Sequence, residues 1–422
     1  MKSTMALVLC TTAAAVLTTP TELPEDSTDF LGTRNIHTRH GASHRLLQGE
    51  YPEFSAPVYQ RPSSSCDVTA APWSAAGDGH TYDTAALQKC IEGCPRDPSG
   101  AFAVVLKAGK QFLTGSLNLS SGCHLIVDGV LLGSTDPTHY PVIPPLAGYG
   151  ESRDSAVHRW GRHQALLSGW HMHDVVVAGS GKIDGQGNVS NAQSGTSWQS
   201  RMWTLYQCKK NGCAGKPANT LLEFGRPRIW EPMFSRRLTL ANLTVTNQPF
   251  WAVHPYGCDD VLISGVNIST PRSWHNPDGI DPDSTSNVLV ENVWVSVADN
   301  SAAIKSGMNW AGREFAHASF NQVFRDSTFT CETFGIGSEM SGGVFNITID
   351  KCIFGTDPSC AHVGIHFKAP RQRGGSIHSI RVLNSVFHME GGKYNDGIDV
   401  GDASNNRADG YDPSNRGMPI SA

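Results

Sequence analysis

The chain has no strong excess of either charge: 33 Lys and Arg stand against 38 Asp and Glu in 422 residues, a formal net charge of −5. No global basic field marks it for nucleic acid, so any anionic ligand has to be met by a local cluster of cations. Long hydrophobic runs are equally scarce. Beyond residue 20 no stretch is apolar for long enough to span a bilayer, and no membrane partner is expected. No C-x-x-C pair occurs among the scattered cysteines, which weighs against a zinc or redox centre. Regularly spaced leucines are missing, and so are EF-hand and nonapeptide calcium spacings. What is abundant is glycine, with 43 residues, and proline, with 24, alongside 39% hydrophobic residues. That composition describes a turn-rich globular protein and excludes a disordered or fibrous one.

The N-terminus, Met1-Lys2 followed by the apolar and small run Met5 to Leu17 and then Pro20, reads as a secretory signal peptide over residues 1–20. Residues 21–65 mix Pro, Ser, Thr, His and charge without periodicity and read as a linker or propiece. Ordered structure is expected from near Cys66 to about residue 390 as one domain, with 391–422 irregular. Losing Cys10 with the signal leaves ten cysteines, an even count that favours disulfides in a secreted chain. The spacings Cys208 to Cys213 and Cys352 to Cys360 suit short stapled loops, although spacing does not fix connectivity. Asn-x-Ser/Thr sequons at Asn118, Asn188, Asn242, Asn267 and Asn346 fit the same compartment.

From about residue 100 short β-rich runs recur. The clearest are Leu238–Thr246, Val261–Ile268, Val288–Val295, Ile347–Phe354 and Ile380–Phe387, with a weaker copy at Val323–Phe329. Each reads apolar-x-apolar, then polar or small residues, then apolar-x-apolar. Period-two alternation means strand, and the polar break means a bend between two strands. Repeats of roughly 23 to 35 residues with insertions are the mark of a solenoid carrying loops on one side. The pattern predicts an all-β, single-domain, right-handed parallel β-helix, since each coil can bury its apolar side chains only against its neighbours. A propeller would need repeats of roughly 40–50 residues. Ahead of the coils, Asp83–Ile91 places Leu87, Cys90 and Ile91 at helical spacing behind an Asp/Thr cap, and is expected to cover the open end of the solenoid.

Between two of these runs lies Asn276-Pro-Asp-Gly-Ile-Asp-Pro-Asp-Ser284, with Asp299-Asn-Ser-Ala-Ala-Ile-Lys-Ser-Gly307 at the next junction. A turn needs one Asp-Gly, whereas here Asp278, Asp281 and Asp283 crowd together and Asp299 follows one coil later. Strands in a stack are about 4.7–4.9 Å apart, so Asp278 and Asp299 are expected to meet across one surface. Two facing carboxylates are the minimum for acid and base cleavage of a glycosidic bond. Calcium is the competing use of clustered aspartates, set behind catalysis by the missing calcium spacings.

Further blocks occur in order: Asp78–Gln88, Leu131–Pro137, Gly181–Gly187, Arg226-Pro-Arg228, Pro249-Phe-Trp251 with His254-Pro255, Ile304–Gly307, Ile336–Gly343, and Lys368 with Arg371 to Gly375. Together with Asn276–Ser284 they resemble glycoside hydrolase family 28, the polygalacturonases and related pectin hydrolases, over about residues 66–390. The resemblance implies a secreted, monomeric enzyme without cofactor or metal that hydrolyses α-1,4 bonds of a pectic polysaccharide with inversion. It implies Asp299 as general acid, Asp278 as the base activating water, and Lys368 as the holder of a substrate carboxylate. Asn276, Asn300, His366 and Arg371 fall in the same motifs and are expected to bind substrate. Asn300 stands where the family has a second aspartate, and an amide cannot accept a proton; Asp281 is the substitute base. His366 replaces an arginine, and no histidine occupies the Gly-His-Gly position near Thr330 to Thr333. Trp251, His254 and Trp274 can form a sugar-stacking wall or lie buried in the core. An inverting pair keeps about 6.5–9.5 Å between its carboxyl groups. Two alternatives follow from the departures: a pectin-binding relative without turnover, and, fitting less well, a calcium-dependent lyase.

Overall fold

Three faces of parallel strands wind around one apolar core in the computed structural model, which describes residues 61–149, 162–211, 225–359, 362–370, 373–388 and 394–401. Two sheets have ten strands each, running from Ser65–Asp67 to Ile377–Leu383 and from Asp78–Tyr82 to Val386–Phe387. The third face begins at Leu117–Asn118, Leu167–Trp170 and Trp230–Met233. It continues through single parallel bridges from Trp230 to Val253, Ile280 and Ala302, and ends in Glu332–Gly337, His362–Lys368 and Tyr394–Gly401. The architecture is a parallel β-helix. The signal peptide and most of the expected linker and C-terminal segment lie outside the described residues, as do Arg371, Cys213 and Cys360.

The repeats stack in register. Leu238 faces Val261, then Val288, Gln322, Ile347 and Ile380 in unbroken succession along the first sheet. The weaker copy is therefore out of step by one residue when read from Val323. Gln322 fills the apolar position, fully buried, with Nε2 donating to Thr285 O at 2.9 Å. A polar residue in a core slot hides the period that its neighbours advertise. The expected bends are present: Asn242, Gly265, Asn292, Asp326, Lys351 and Asn384 sit between first-sheet and second-sheet strands with φ from +47° to +66°. Asn, Asp and Gly enter this left-handed region at least cost, which explains the polar break in each run. Beyond the corner the core ladder Val245, Ile268, Val295, Phe329, Phe354, Phe387 continues, its last three rings stacked at 5.4 and 4.8 Å.

Helix α1 (Thr84–Gly93) covers the first coil with Leu87, Cys90 and Ile91 buried, as their spacing predicts. Asp83 does not cap it. Its carboxylate accepts instead from Ala76 N and Gly77 N, at 2.7 and 3.0 Å, and ties down the preceding loop. A disulfide joins Cys66 to Cys94, and Cys331 is disulfide-bonded as well. Cys352 is a free, buried thiol pointing at Phe324 O, so it does not staple a loop with Cys360. Two further helices are α2 (Trp198–Asn211) and α3 (Asn309–Phe315), both on the side of the third face.

Candidate active site

Along the third face Trp230, Val253, Ile280, Ala302 and Ile304 point into the core. By the two-residue alternation of strands, Glu231, His254, Asp281 and Ala303 point outward. The register pairs Ile280 with Ala302 and Asp283 with Lys305. The lateral neighbour of Asp278 is therefore Asn300, and Asp299 stands one step earlier. Gly279, beside Asp278, is required by close approach: a Cβ there would lie 2.3 Å from Ser301 O.

Asn300 holds the two carboxylates together. Its Nδ2 donates to Asp278 Oδ2 at 3.1 Å and to Asp299 Oδ1 at 3.0 Å, while its Oδ1 accepts from Lys368 Nζ at 2.6 Å. The near oxygens of Asp278 and Asp299 are thus no farther apart than these two bonds laid end to end. Asp299 Oδ2 accepts from Asn276 Nδ2 at 3.2 Å, and Asn276 Oδ1 accepts from Arg226 at 3.2 Å. Asp278 is 2% exposed and its Oδ1 has no hydrogen-bond partner. Lys305, also buried, reaches Glu339 at 3.2 Å and Asp278 at 4.0 Å, with Nζ 4.4 Å from the centre of the Trp251 ring.

Burial and the charge of Asp299 push Asp278 up to about 7, against the pull of Lys305. Burial, then the charge of Asp278, push Asp281 well above the usual carboxylate range, and neither of its oxygens has a partner. Glu339 behaves oppositely: despite burial, Lys305 and Arg373 hold it down to about 2.

The remaining predicted residues divide. His366 and Lys368 lie half-buried on the strand that follows Gly335, with His366 in register with it. Arg373, in the block from Arg371 to Gly375, is fully buried facing Glu339. The expected aromatic wall is closed. His254 is fully buried, its ring nitrogens 2.8 Å from Glu231 and 3.3 Å from Asp283. Trp251 is 6% exposed, with Lys305 and Arg228 near its faces, and Trp274 is buried. Lys305, Glu339 and Arg226 escaped the sequence reading as site residues. The usable signal was Lys305 itself, a lone cation ending the apolar run Ala302-Ala-Ile304.

Toward the N-terminal coils this outer face is covered. Arg162 and Arg228 hold Glu231 well below its usual range despite complete burial. Tyr149 donates to Asp283, Gly148 N donates to Tyr256 Oη at 2.8 Å, and Met308 N donates to Gly148 O at 2.8 Å. Leu146 and Tyr149 pack there with Met233, Tyr256 and Met308.

Residues 101–405 match the family described as Glycosyl hydrolases family 28. A probable polygalacturonase of Vitis vinifera is 34% identical over 315 residues, which is 72% of this chain and 57% of that protein. This chain therefore spans little more than half the length of that relative. An endo-polygalacturonase of Pectobacterium carotovorum subsp. carotovorum is 28% identical over 327 residues, 76% of this chain and 72% of that one. Among solved structures, a hyperthermoactive exopolygalacturonase from Thermotoga maritima superposes with a TM-score of 0.65 at 22% identity, covering 87% of this chain and 81% of the other. A polygalacturonase from Erwinia carotovora ssp. carotovora gives 0.60 at 24% identity, covering 79% and 80%. Likeness at such identities speaks for the fold, a right-handed parallel β-helix. The family match is independent of it and runs through every coil that carries the carboxylates, so this chain belongs to family 28 of the glycosyl hydrolases.

Proposed function

We propose that the protein is a secreted hydrolase of α-1,4-galacturonosidic bonds in pectic polymers. The observation that carries this reading is the Asp278–Asn300–Asp299 cluster, with Lys368 bonded to its amide, on the outer face of a family 28 β-helix. In the reacting state the pair carries one proton and Asp278 is ionised. Asp299, the more exposed of the two, delivers that proton to the leaving glycosidic oxygen as the bond to the anomeric carbon breaks. Asp278 takes a proton from the water that attacks the same carbon. Lys368 supplies positive charge for a galacturonate carboxylate while orienting Asn300. Asn276 and Arg226 hold Asp299 in place from the other side.

Action from a chain end is the finer part of the proposal. It is supported by the strap at Leu146–Tyr149, which, among the described residues, covers the outer face beside Asp283, Met233 and Tyr256. Secretion is supported by the N-terminal run and by the Cys66–Cys94 disulfide, a bond of oxidising compartments. Inversion rests on the family likeness, and the configuration of the first-formed anomer, read by NMR, checks it.

The deciding experiment incubates the purified protein with polygalacturonate, with and without chelator, and follows reducing ends, unsaturated products and viscosity. New saturated ends appearing as monomer, with little early loss of viscosity and no effect of chelator, are expected. Random shortening would overturn end-on action. Chelator-sensitive unsaturated products would mean a lyase, and binding without products a non-catalytic relative. Asp299→Asn is expected to lower the rate by about 10²–10⁴-fold, with the melting temperature little changed.

A further inference from the structure

Helix α2 presents an exposed aromatic ring beside the carboxylates. It is anchored at its start, where the buried Trp198 donates from Nε1 to Ser134 O at 3.2 Å and meets the rings of Tyr140 and His163 edge-on. One residue on, Gln199 ties the helix to the site: its Oε1 accepts from His275 N at 3.1 Å and its Nε2 donates to Pro249 O at 3.1 Å. One turn later Trp203 stacks on the His275 ring, centroids 5.4 Å apart and planes at 20°, while remaining 51% exposed. His275 directly precedes Asn276, which bonds Asp299, and its backbone carbonyl accepts from Arg226.

Shielding His275 from water would be served by any apolar side chain and would leave it covered. A flat ring fixed parallel to a second ring, with half its surface in solvent, serves a different purpose. Pyranose rings carry a face of C–H bonds that packs on aromatic rings, whose negative faces attract the slightly positive hydrogens. The exposed Trp170, Trp294 and Trp310 are set on other elements, whereas Trp203 stands on the residue adjoining Asn276.

We infer that Trp203, backed by His275, is the stacking platform for a pyranose ring of the bound polymer adjacent to the bond that is cut. This rests on the reading of the chain as a pectic-polymer hydrolase. Trp203 would act by holding the sugar rather than by touching the reacting atoms, so its removal weakens binding more than turnover.

The test has two arms. In kinetics on polygalacturonate, Trp203→Ala is expected to raise KM roughly tenfold with kcat changed less than about threefold, and Trp203→Phe to restore most of the loss. An unchanged KM in Trp203→Ala, or a Trp203→Phe variant as impaired as the alanine one, overturns the platform. In binding, an oligogalacturonide is titrated into Asp299→Asn while tryptophan fluorescence is read. A saturable change that disappears in Asp299→Asn with Trp203→Phe supports the platform, and a change identical in both proteins overturns it. The binding arm needs no turnover and a foldable phenylalanine variant only. A protein that binds through Trp203 but releases no product would sink the hydrolase reading and leave the platform standing.

Discussion

The outer face of the third sheet carries two rows of charge, and they differ in how each charge is met. Glu231 is gripped by Arg162, Arg228 and His254, and Asp283, two coils on, accepts from Tyr149 under the strap. On the same coil as Asp283, Asp278 and Asp281 are just as buried, yet three of their four oxygens have no partner. Burying an ion without compensation costs several kcal/mol, so the first arrangement contributes to holding the fold and the second withdraws from it. Unmet acceptors beside a shared proton are what acid and base chemistry needs. The acceptors separate the two groups, those of Glu231 being met and most of those of Asp278 and Asp281 not, although Arg162 Nε and Arg228 Nε and Nη2 beside Glu231 also make no hydrogen bond.

The contrast breaks most visibly at Glu231. Glu231→Ala leaves two buried guanidinium groups facing a void and is expected to cost about 3–5 kcal/mol, read as a lower unfolding midpoint in denaturant. Activity per folded molecule should fall far less than in Asp299→Asn. If the two variants lose activity alike, the covered row belongs to the site as well. A smaller effect is expected from Lys305→Met. Because Asp278 has to be ionised to take a proton from water, the wild-type pH–rate profile should gain activity as pH rises through about 7, and the variant, without the downward pull of Lys305, should move that limb upward. A limb that stays in place would detach Lys305 from the pair. The smallest effect is on stability. Asp278 binds its proton more tightly in the folded state than the ordinary value of 3.8 allows, so its favourable contribution is full below about 4 and is lost as pH rises to about 7. Asp278→Asn, which cannot ionise, should raise the melting temperature by a few degrees at pH 8 and hardly at all at pH 4. Equal gains at both pH values would mean that the carboxyl is not the strained group.

The fold was legible because its period lies in side chains that must face inward at every coil. Leu238, Val261, Val288, Ile347 and Ile380 gave five of six matched positions, and the sixth was missed by one residue because Gln322 is polar. At the site, the residues of the Asn276–Asp281 and Asp299–Asn300 segments do converge. Their lateral order was less visible, since a one-step offset that pairs Asp278 with Asn300 depends on loop length and not on residue type. Lys305 and Glu339 stayed hidden for a related reason: each looks like an ordinary charge until burial is known. For Trp251 and His254 the sequence leaves a stacking wall and burial open, and burial is what the fold adopts. Aromatic and imidazole rings beside a carboxylate motif look like a binding wall in sequence, and only their packing against Arg228, Lys305, Glu231 and Asp283 shows them to be its foundation.

The left-handed corner residues bear on how such a protein can change over time. Because the step from first to second sheet is made the same way from Asn242 to Asn384, it works as a fixed hinge line filled by Asn, Asp or Gly, with Lys351 the one exception among the six. Among the described residues, α2, α3 and the Leu146–Tyr149 strap are inserted away from that line, where added length leaves the corners undisturbed. Descendants of one sequence can thus exchange the parts that meet the polymer, lengthening one loop and deleting another, while the coils beneath keep their register. Diversity is confined to the side that does the chemistry.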